Sequence, residues 1–485
     1  MPPPTIYPVN VSFLQELMTT VAEQGRSLLP KSLFQASGND DVVALAKALA
    51  SGRGEASGVA LARQILACYQ RLDANGRRQF FAFLAADMEP DAAAAAAAAY
   101  AASPGPDTMS RLQKAVESPR QEFFRRLNLA PGATAGIVAM RRDLLDLLDE
   151  APELALVDED LKHLFHSWFN RGFLVLRRID WQTPAAILEK IIAYEAVHAI
   201  DGWDDLRRRL DQNDRRCFAF FHPSLIDDPL IFVEVALTHE ISDAIGPLLT
   251  APRRDTAIEA PTTAVFYSIS NCQDGLKGIS FGHFLIKQVV EDLVRELPSL
   301  KTFVTLSPVP GFARWLAGGE AQAVLATLPA TDKAALALMR RARWQSKERA
   351  TAAVRDPLLA MAAHYFLLAK RSDGKPLDTV ARFHLGNGAR LERINFLADL
   401  SEKGMAQAHG LMVNYRYDLK EIEKNHEAYA NQKVVAASRA VKALLRTGEP
   451  PASGAGDGKA GARKELPPPR DEGPKTAASR EAAER

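Results

Sequence analysis

The chain has 485 residues and a formal net charge of +1, with apolar residues at 47% and charged residues at 25%. This is the composition of a globular protein of two or three domains, and it supplies no overall field that would draw in nucleic acid or an anionic membrane. The three cysteines, Cys68, Cys217 and Cys272, have no C-x-x-C spacing; that argues against a zinc site or a disulfide framework and fits a reducing compartment.

No apolar run approaches the roughly 20 residues that span a bilayer. The start "MPPPTIYPVN" has neither the charged nor the apolar region of a secretory signal, and the ending "EAAER" is not a peroxisomal address. The cytoplasm is the expected location, with neither nucleic acid nor membrane as a partner.

From about Ser12 to Phe169 apolar residues recur every three or four positions, in "SFLQELMTTVAEQGRSLL", "DVVALAKALAS", "ASGVALARQILACYQRL", "GRRQFFAFLAADM" and "LKHLFHSWF". The run "DAAAAAAAAYAAS" predicts one more helix, with Asp91 as its N-cap and little side-chain chemistry. Residues 1–171 are expected to form an all-α bundle whose job is packing and self-association. His163 and His166 have the i, i+3 spacing of a metal pair but no third ligand near them in sequence, so a helix face is expected.

Near Gly172 the texture changes. "GFLVLRRID" reads as a strand, "PAAILEKIIAYEAVH" and "WDDLRRRL" as helices, and "RCFAFFHP" and "PLIFVEVALT" as a hairpin closed by "SLIDD". "TTAVFYSIS" is another strand, followed by a glycine-bearing loop and an amphipathic helix; "LKTFVTLSPVP" is a further strand. The basic run "RRARWQSKER" predicts a solvated helix face rather than a nucleic-acid site. "DPLLAMAAHYFLLAK", "ARLERINFLADLSEKG" and "NHEAYANQKVVAASRAVKALLR" predict helices, with "GLMVNYRYDL" as a last strand. Residues 172–446 are thus expected to form a mixed α/β domain, which makes the whole chain α+β. Residues 447–485 are rich in Pro, Gly and Ala, lack aromatics and carry a single Leu; a disordered tail is expected.

The loop between strand and helix carries Gly275, Gly278 and Gly282. Such a junction lets another object approach the backbone, and an anion is its natural guest. It is not a G-x-x-x-x-G-K-[ST] phosphate loop, and its glycine spacing does not fit G-x-G-x-x-G. "QDGLKG", from Gln273 to Gly278, resembles the pyrophosphate loop of GNAT-type acyl-CoA-binding proteins. Lys277 and Lys287 flank the loop and its helix, within reach of CoA phosphates. Cys272 has no basic neighbour that would activate it, so a buried thiol is expected.

Three segments together, "FYSISNCQDGLKGISFGHFLIKQVV", "TLSPVPGFARWL" and "FHLGNGARLERINFLADLSEKGMAQAHGLMVNYRY", resemble the malonyl-CoA decarboxylase family. The resemblance extends upstream through "YEAVHAIDGWDDLRRRL" and "RRCFAFFHPSLIDDPLIFVEVALT" and is looser over the helical part. It implies a helical N-terminal domain, a GNAT-like catalytic domain, conversion of malonyl-CoA to acetyl-CoA and carbon dioxide, no cofactor, and a homo-oligomer, dimer or tetramer. It places the functional pair on Ser307 and His384. It places malonyl-CoA contacts on Lys277, Gly278, Ile279, Ser280, Phe281, Gly282 and His283, on Ser268 of the strand before the loop, and on Tyr417. Some relatives carry a carboxylate where this chain has Ser280; if that carboxylate orients the histidine, its partner here comes from elsewhere.

The chemistry suits this pair. A malonyl thioester is its own electron sink, so loss of carbon dioxide needs neither metal nor pyridoxal phosphate. It needs a donor facing the developing enolate oxygen and a proton source for the carbon. A histidine with a pKa near neutrality is the expected donor, with the Ser307 hydroxyl bonded to the malonyl group and able to accept a proton in the cycle. Pro308 and Pro310 stiffen the loop that carries the hydroxyl. An acyl-CoA transferase, or an acyl-CoA sensor that does not turn over, remains the alternative. Malonate catabolism and the control of fatty acid metabolism are the two pathways this activity would serve.

Overall fold

The computed structural model describes residues 39–445 apart from 52–53, 91, 212, 251–259 and 280–284, together with 20, 24, 26 and 27. Most of the helix expected over 12–29, the Asp91 cap and the tail from 447 lie outside the described residues.

The first part is helical, as its 3.6-residue periodicity requires. Helices Asn39–Ala50, Glu55–Arg71, Ala74–Asp87, Pro119–Leu127, Ala133–Leu145 and Ala155–Trp168 bury their apolar stripes together around Phe80, Phe81, Phe123, Phe124 and Phe165. Their starts carry local signals: the Asp73 side chain accepts from Gly76 N, and Ser118 accepts from Gln121 N with Pro119 in the first turn. The alanine helix Ala93–Ala102 buries none of its residues. His163 and His166 are exposed on the last helix.

An eight-stranded sheet follows. Its strands are β1 (Val175–Ile179), β2 (Arg215–Phe221), β3 (Pro229–Thr238), β4 (Thr263–Asn271), β5 (Thr302–Thr305), β6 (Ser307–Pro308), β7 (Arg390–Asn395) and β8 (Met412–Arg416). The order is β1-β2-β3-β4-β5-β8-β6, with β7 also on β8. β1 to β4 run antiparallel, including the expected β2–β3 hairpin, whereas β4 and β5 are parallel and joined through helix Leu285–Glu296. A helical region followed by this mixed sheet is the expected α+β architecture. One hydrophobic core runs from the helical region onto one face of the sheet.

Two features of the sheet make the cleft. Glu234 pairs with Ser268 and Val235 with Phe266, so Tyr267 is the extra residue of a bulge on β4. β4 and β5 are paired only as far as Phe266 and Thr305. Beyond that point the chain after β5 turns to β8 as the short β6, and a gap opens beside the end of β4.

Three expected elements differ. "ARLERINFLADLSEKG" is not one helix: Arg390–Asn395 is strand β7, followed by helix Glu402–Ala408. A register shift between Leu391 and Arg393 lets Leu391 and Ile394 both face the core, which mimics helical spacing, and the edge of β8 supplies the pairing. The terminal helix is broken into Ile422–Gln432 and Arg439–Ala443, with Lys433 left-handed at φ 59° and Leu391 bridging to Ala437 between them. The basic run around Trp344 is a pair of 3-10 turns, and Trp344 is buried beside Phe396 rather than solvated.

Candidate active site

His384 lies on helix Thr379–Gly386. The helix starts cleanly because the Asp378 side chain accepts from Ala381 N at 2.8 Å, and Tyr365 donates to the other oxygen of Asp378 at 3.3 Å. It ends at Asn387, and Gly388 then reverses the chain at φ 79°; a Cβ there would overlap the carbonyl oxygen of Ile422. This reversal feeds β7 and brings β8 and Tyr417 back beside the histidine.

Ser307 opens β6 opposite Val413, and Tyr417 follows β8 with its N–H donated to Phe303 O. Residues 77 and 33 positions from His384 in sequence therefore meet its two ring nitrogens. Ser307 Oγ is 3.1 Å from Nε2, and Tyr417 Oη is 2.8 Å from Nδ1. Ser307 also donates to Thr305 Oγ1 at 2.8 Å. The imidazole lies nearly flat on the Tyr415 ring, with centroids 4.5 Å apart. All three groups are buried: His384 and Tyr417 are 2% exposed and Ser307 5%.

Burial sets the protonation states. It pushes His384 down to about 3, so the imidazole is neutral, in contrast to the near-neutral pKa expected from sequence. The Tyr417 phenol is raised by the same desolvation and keeps its proton. Among the described residues the only hydrogen-bond partner of the phenol is Nδ1, so its proton goes there. The tautomer that satisfies every group is then Nε2–H, donating to Ser307 Oγ. The hydrogen bonds run in one direction, from Tyr417 through His384 and Ser307 to Thr305.

One cavity reaches this chain and a second adjoins it. The smaller, about 220 Å³, is lined by Ser307 and His384 with Phe266, Ile269, Val380 and Phe383. None of the described residues that line it is a lysine, an arginine or a carboxylate. Asn271 and Phe383 also border a second cavity of about 560 Å³, which reaches Lys277, Gly278 and Ile279. Lys375 and Arg382 stand on its wall. The two adjoin at Asn271 and Phe383, and between them they reach from the glycine loop to the imidazole.

The structure brings together Ser307, His384 and Tyr417 in one place and Lys277, Gly278 and Ile279 in another. Ser280, Phe281, Gly282 and His283 lie outside the described residues. Ser268 is turned away from the groove: it is 1% exposed and donates to Glu195 Oε2 at 2.7 Å. Lys287 pairs with Glu423 at 2.8 Å. Cys272 is buried and its thiol pKa is raised by desolvation. Sequence reasoning missed Thr305, Asp378 and Tyr415. Asp378 alone left a signal, an N-cap residue directly before "TVARFHLG".

The profile of the malonyl-CoA decarboxylase C-terminal domain matches residues 172–453, and that of the N-terminal domain matches 87–169. A protein named malonyl-CoA decarboxylase, mitochondrial, from Anser anser anser is 36% identical over 67% of this chain and 68% of its own length. The crystal structure of malonyl-CoA decarboxylase from Rhodopseudomonas palustris is 53% identical and superposes with a TM-score of 0.79, covering 84% of this chain and all of that one. The corresponding structure from Agrobacterium vitis is 54% identical, with the same TM-score and coverage. The chain belongs to the malonyl-CoA decarboxylase family.

Proposed function

We propose that this enzyme decarboxylates malonyl-CoA to acetyl-CoA and carbon dioxide, with Ser307 and His384 as the reacting pair and Tyr417 behind them. The observation that carries this reading is the one-directional hydrogen-bond chain at the inner end of a groove whose outer end carries Lys277 and Gly278. The diphosphate of CoA rests at the glycine loop, the pantetheine arm follows the end of β4, and the malonyl group fills the smaller cavity.

The lining of that cavity favours the reaction. A malonyl carboxylate there exchanges water for Phe266, Ile269, Val380 and Phe383 without gaining a cationic partner among the described residues, whereas the carbon dioxide it becomes is neutral and tolerates the same walls. When the carbon–carbon bond breaks, its electron pair moves into the thioester and forms the enolate. The Ser307 hydroxyl turns from Thr305 to the substrate and delivers its proton to the carbon. His384 Nε2–H restores that proton, and Tyr417 restores the one lost from the imidazole through Nδ1. A thioester enolate is far more basic than a phenolate, so the transfer runs downhill; the relay resets when Nδ1 returns its proton to the phenolate and water delivers one proton per turnover to Nε2 by way of Ser307. Carbon dioxide leaves, acetyl-CoA has gained one proton, and the balance closes without an oxidant.

Residues 1–171 are read as the domain of self-association into a dimer or tetramer, 172–446 as the catalytic domain and 447–485 as a tail. The three cysteines of the chain are free and buried, which supports a reducing compartment such as the cytoplasm. No helix among the described residues is long and apolar enough to cross a membrane.

The test is purified protein with malonyl-CoA and no second substrate. Acetyl-CoA and carbon dioxide should appear in equal amounts. A requirement for an acceptor amine would make the protein an acyltransferase, and tight binding without turnover would make it a sensor.

A further inference from the structure

We propose that Arg141, a residue of the helical region, is a positioning residue for acyl-CoA: it holds the glycine loop of the catalytic domain in the shape that receives the diphosphate. The proposal rests on the reading that Lys277 and Gly278 seat that group.

Arg141 sits in the middle of helix Ala133–Leu145 and is fully buried. Its Nε donates to Asp158 at 2.7 Å, and Asp158 is held in turn by Lys162 at 2.8 Å. Its Nη1 crosses to the catalytic domain and donates to two loop carbonyls, Gly275 O at 2.6 Å and Lys277 O at 2.9 Å. A planar fork anchored by a carboxylate on one side is well suited to fix two oxygens on the other, which a flexible ammonium does poorly.

The loop is seated as closely as backbone allows. A Cβ at Gly275 would overlap the carbonyl oxygen of Val138 on the same helix, so only glycine fits. The Lys277–Gly278 peptide is planar and its N–H points opposite to its carbonyl. With that carbonyl held by Arg141, the Gly278 N–H faces away from the helical region, on the side where Gly278 and Lys277 are exposed and line the groove. Gly278 reaches this arrangement at φ 81°. Arg141 touches no substrate in this arrangement. It decides where one backbone donor and one lysine point.

Malonyl-pantetheine separates positioning from a general loss of structure, because it carries the reacting thioester but no diphosphate. Arg141→Lys keeps the charge beside Asp158 but cannot reach both carbonyls. It should raise KM for malonyl-CoA about tenfold, the worth of one hydrogen bond, leave kcat within about twofold, and leave malonyl-pantetheine kinetics unchanged. Gly275→Ala, which lifts the loop off the helix while keeping the Arg141–Asp158 pair, should show the same split even if the lysine variant folds poorly. Equal losses on both substrates, a fall in kcat alone, or unchanged KM for malonyl-CoA overturns the role of Arg141. If the wild-type enzyme treats the two substrates alike, the diphosphate seat itself is wrong and the proposal goes with it.

Discussion

Tyr417 Oη lies 2.8 Å from His384 Nδ1, on the opposite edge of the imidazole from Ser307. A buried neutral imidazole presents one donor and one acceptor, so whichever group bonds Nδ1 decides what Nε2 offers to the serine. Tyrosine can do this from a buried position without adding a charge, whereas a carboxylate would raise the histidine pKa. Here the phenol of Tyr417 supplies the contact at Nδ1.

Tyr417→Phe removes the bond to Nδ1 and allows the other tautomer, in which Nε2 accepts from serine. Turnover should fall about 10²-fold, the lower end for a positioned acid, with little change in KM. The ring contacts are kept, so the melting temperature should move by only a few degrees. Wild-type kcat in this variant, measured by acetyl-CoA release, removes Tyr417 from the relay.

Ser307→Ala and His384→Asn each break the chain at the reacting end. Each should lower kcat by about 10²–10⁴-fold while the circular dichroism spectrum stays that of the wild type. Because the two act as one unit, the double variant should be scarcely slower than the worse single variant. Additive losses would mean that the serine and the imidazole work separately.

With His384 pushed down to about 3, its neutral form prevails throughout the neutral range. The profile of kcat/KM should therefore show no inflection near 6.5 that His384→Asn abolishes. The same depression has a consequence for stability. An unfolded chain binds a proton at this histidine below about 6.5 whereas the folded one does not until about 3, so its contribution is present at neutral pH and is lost as pH falls through that window. Urea midpoints at pH 7.5 and pH 5 should drop further for wild type than for His384→Asn. Equal drops in the two proteins would show that His384 is not held neutral by the fold.

Asp378 supports the site from behind, as the N-cap of the histidine helix and the acceptor of the Tyr365 hydroxyl. Asp378→Ala should cost about 1–2 kcal/mol of stability and lower kcat less than Tyr417→Phe does. Asp378→Asn keeps the capping oxygen and should recover most of both. A variant with alanine that unfolds at the wild-type urea midpoint would leave the cap without a role.

Much of the architecture was legible in the sequence, and the reason differs from element to element. β2, β3 and β4 are short apolar stretches bounded by turn residues, and the helical region is periodic throughout, so each could be read within a window of a dozen residues. β7 could not, because its bulge gives Leu391 and Ile394 the spacing of a helix face and only the edge of β8 makes it a strand. The terminal helix broke for a similar reason: Leu391, far upstream, bridges to Ala437 and leaves Lys433 to make the turn.

The site divides in the same way. Ser307, His384 and Tyr417 were named from motifs, since motif residues keep their order along a chain. That Ser268 faces Glu195 and not the groove was invisible, because the β4 bulge shifts the face on which each side chain emerges. Local pattern determined most of the helices and strands, and the resemblance carried by the motifs singled out three side chains that the fold brings together. Only the tertiary structure decided that the histidine is buried and neutral, that a tyrosine hydroxyl meets its Nδ1, and that an arginine 134 residues upstream holds the carbonyls of the glycine loop. Periodicity and capping depend on neighbours a few positions away, whereas desolvation and hydrogen bonding depend on whichever groups the folded chain brings within about 3 Å.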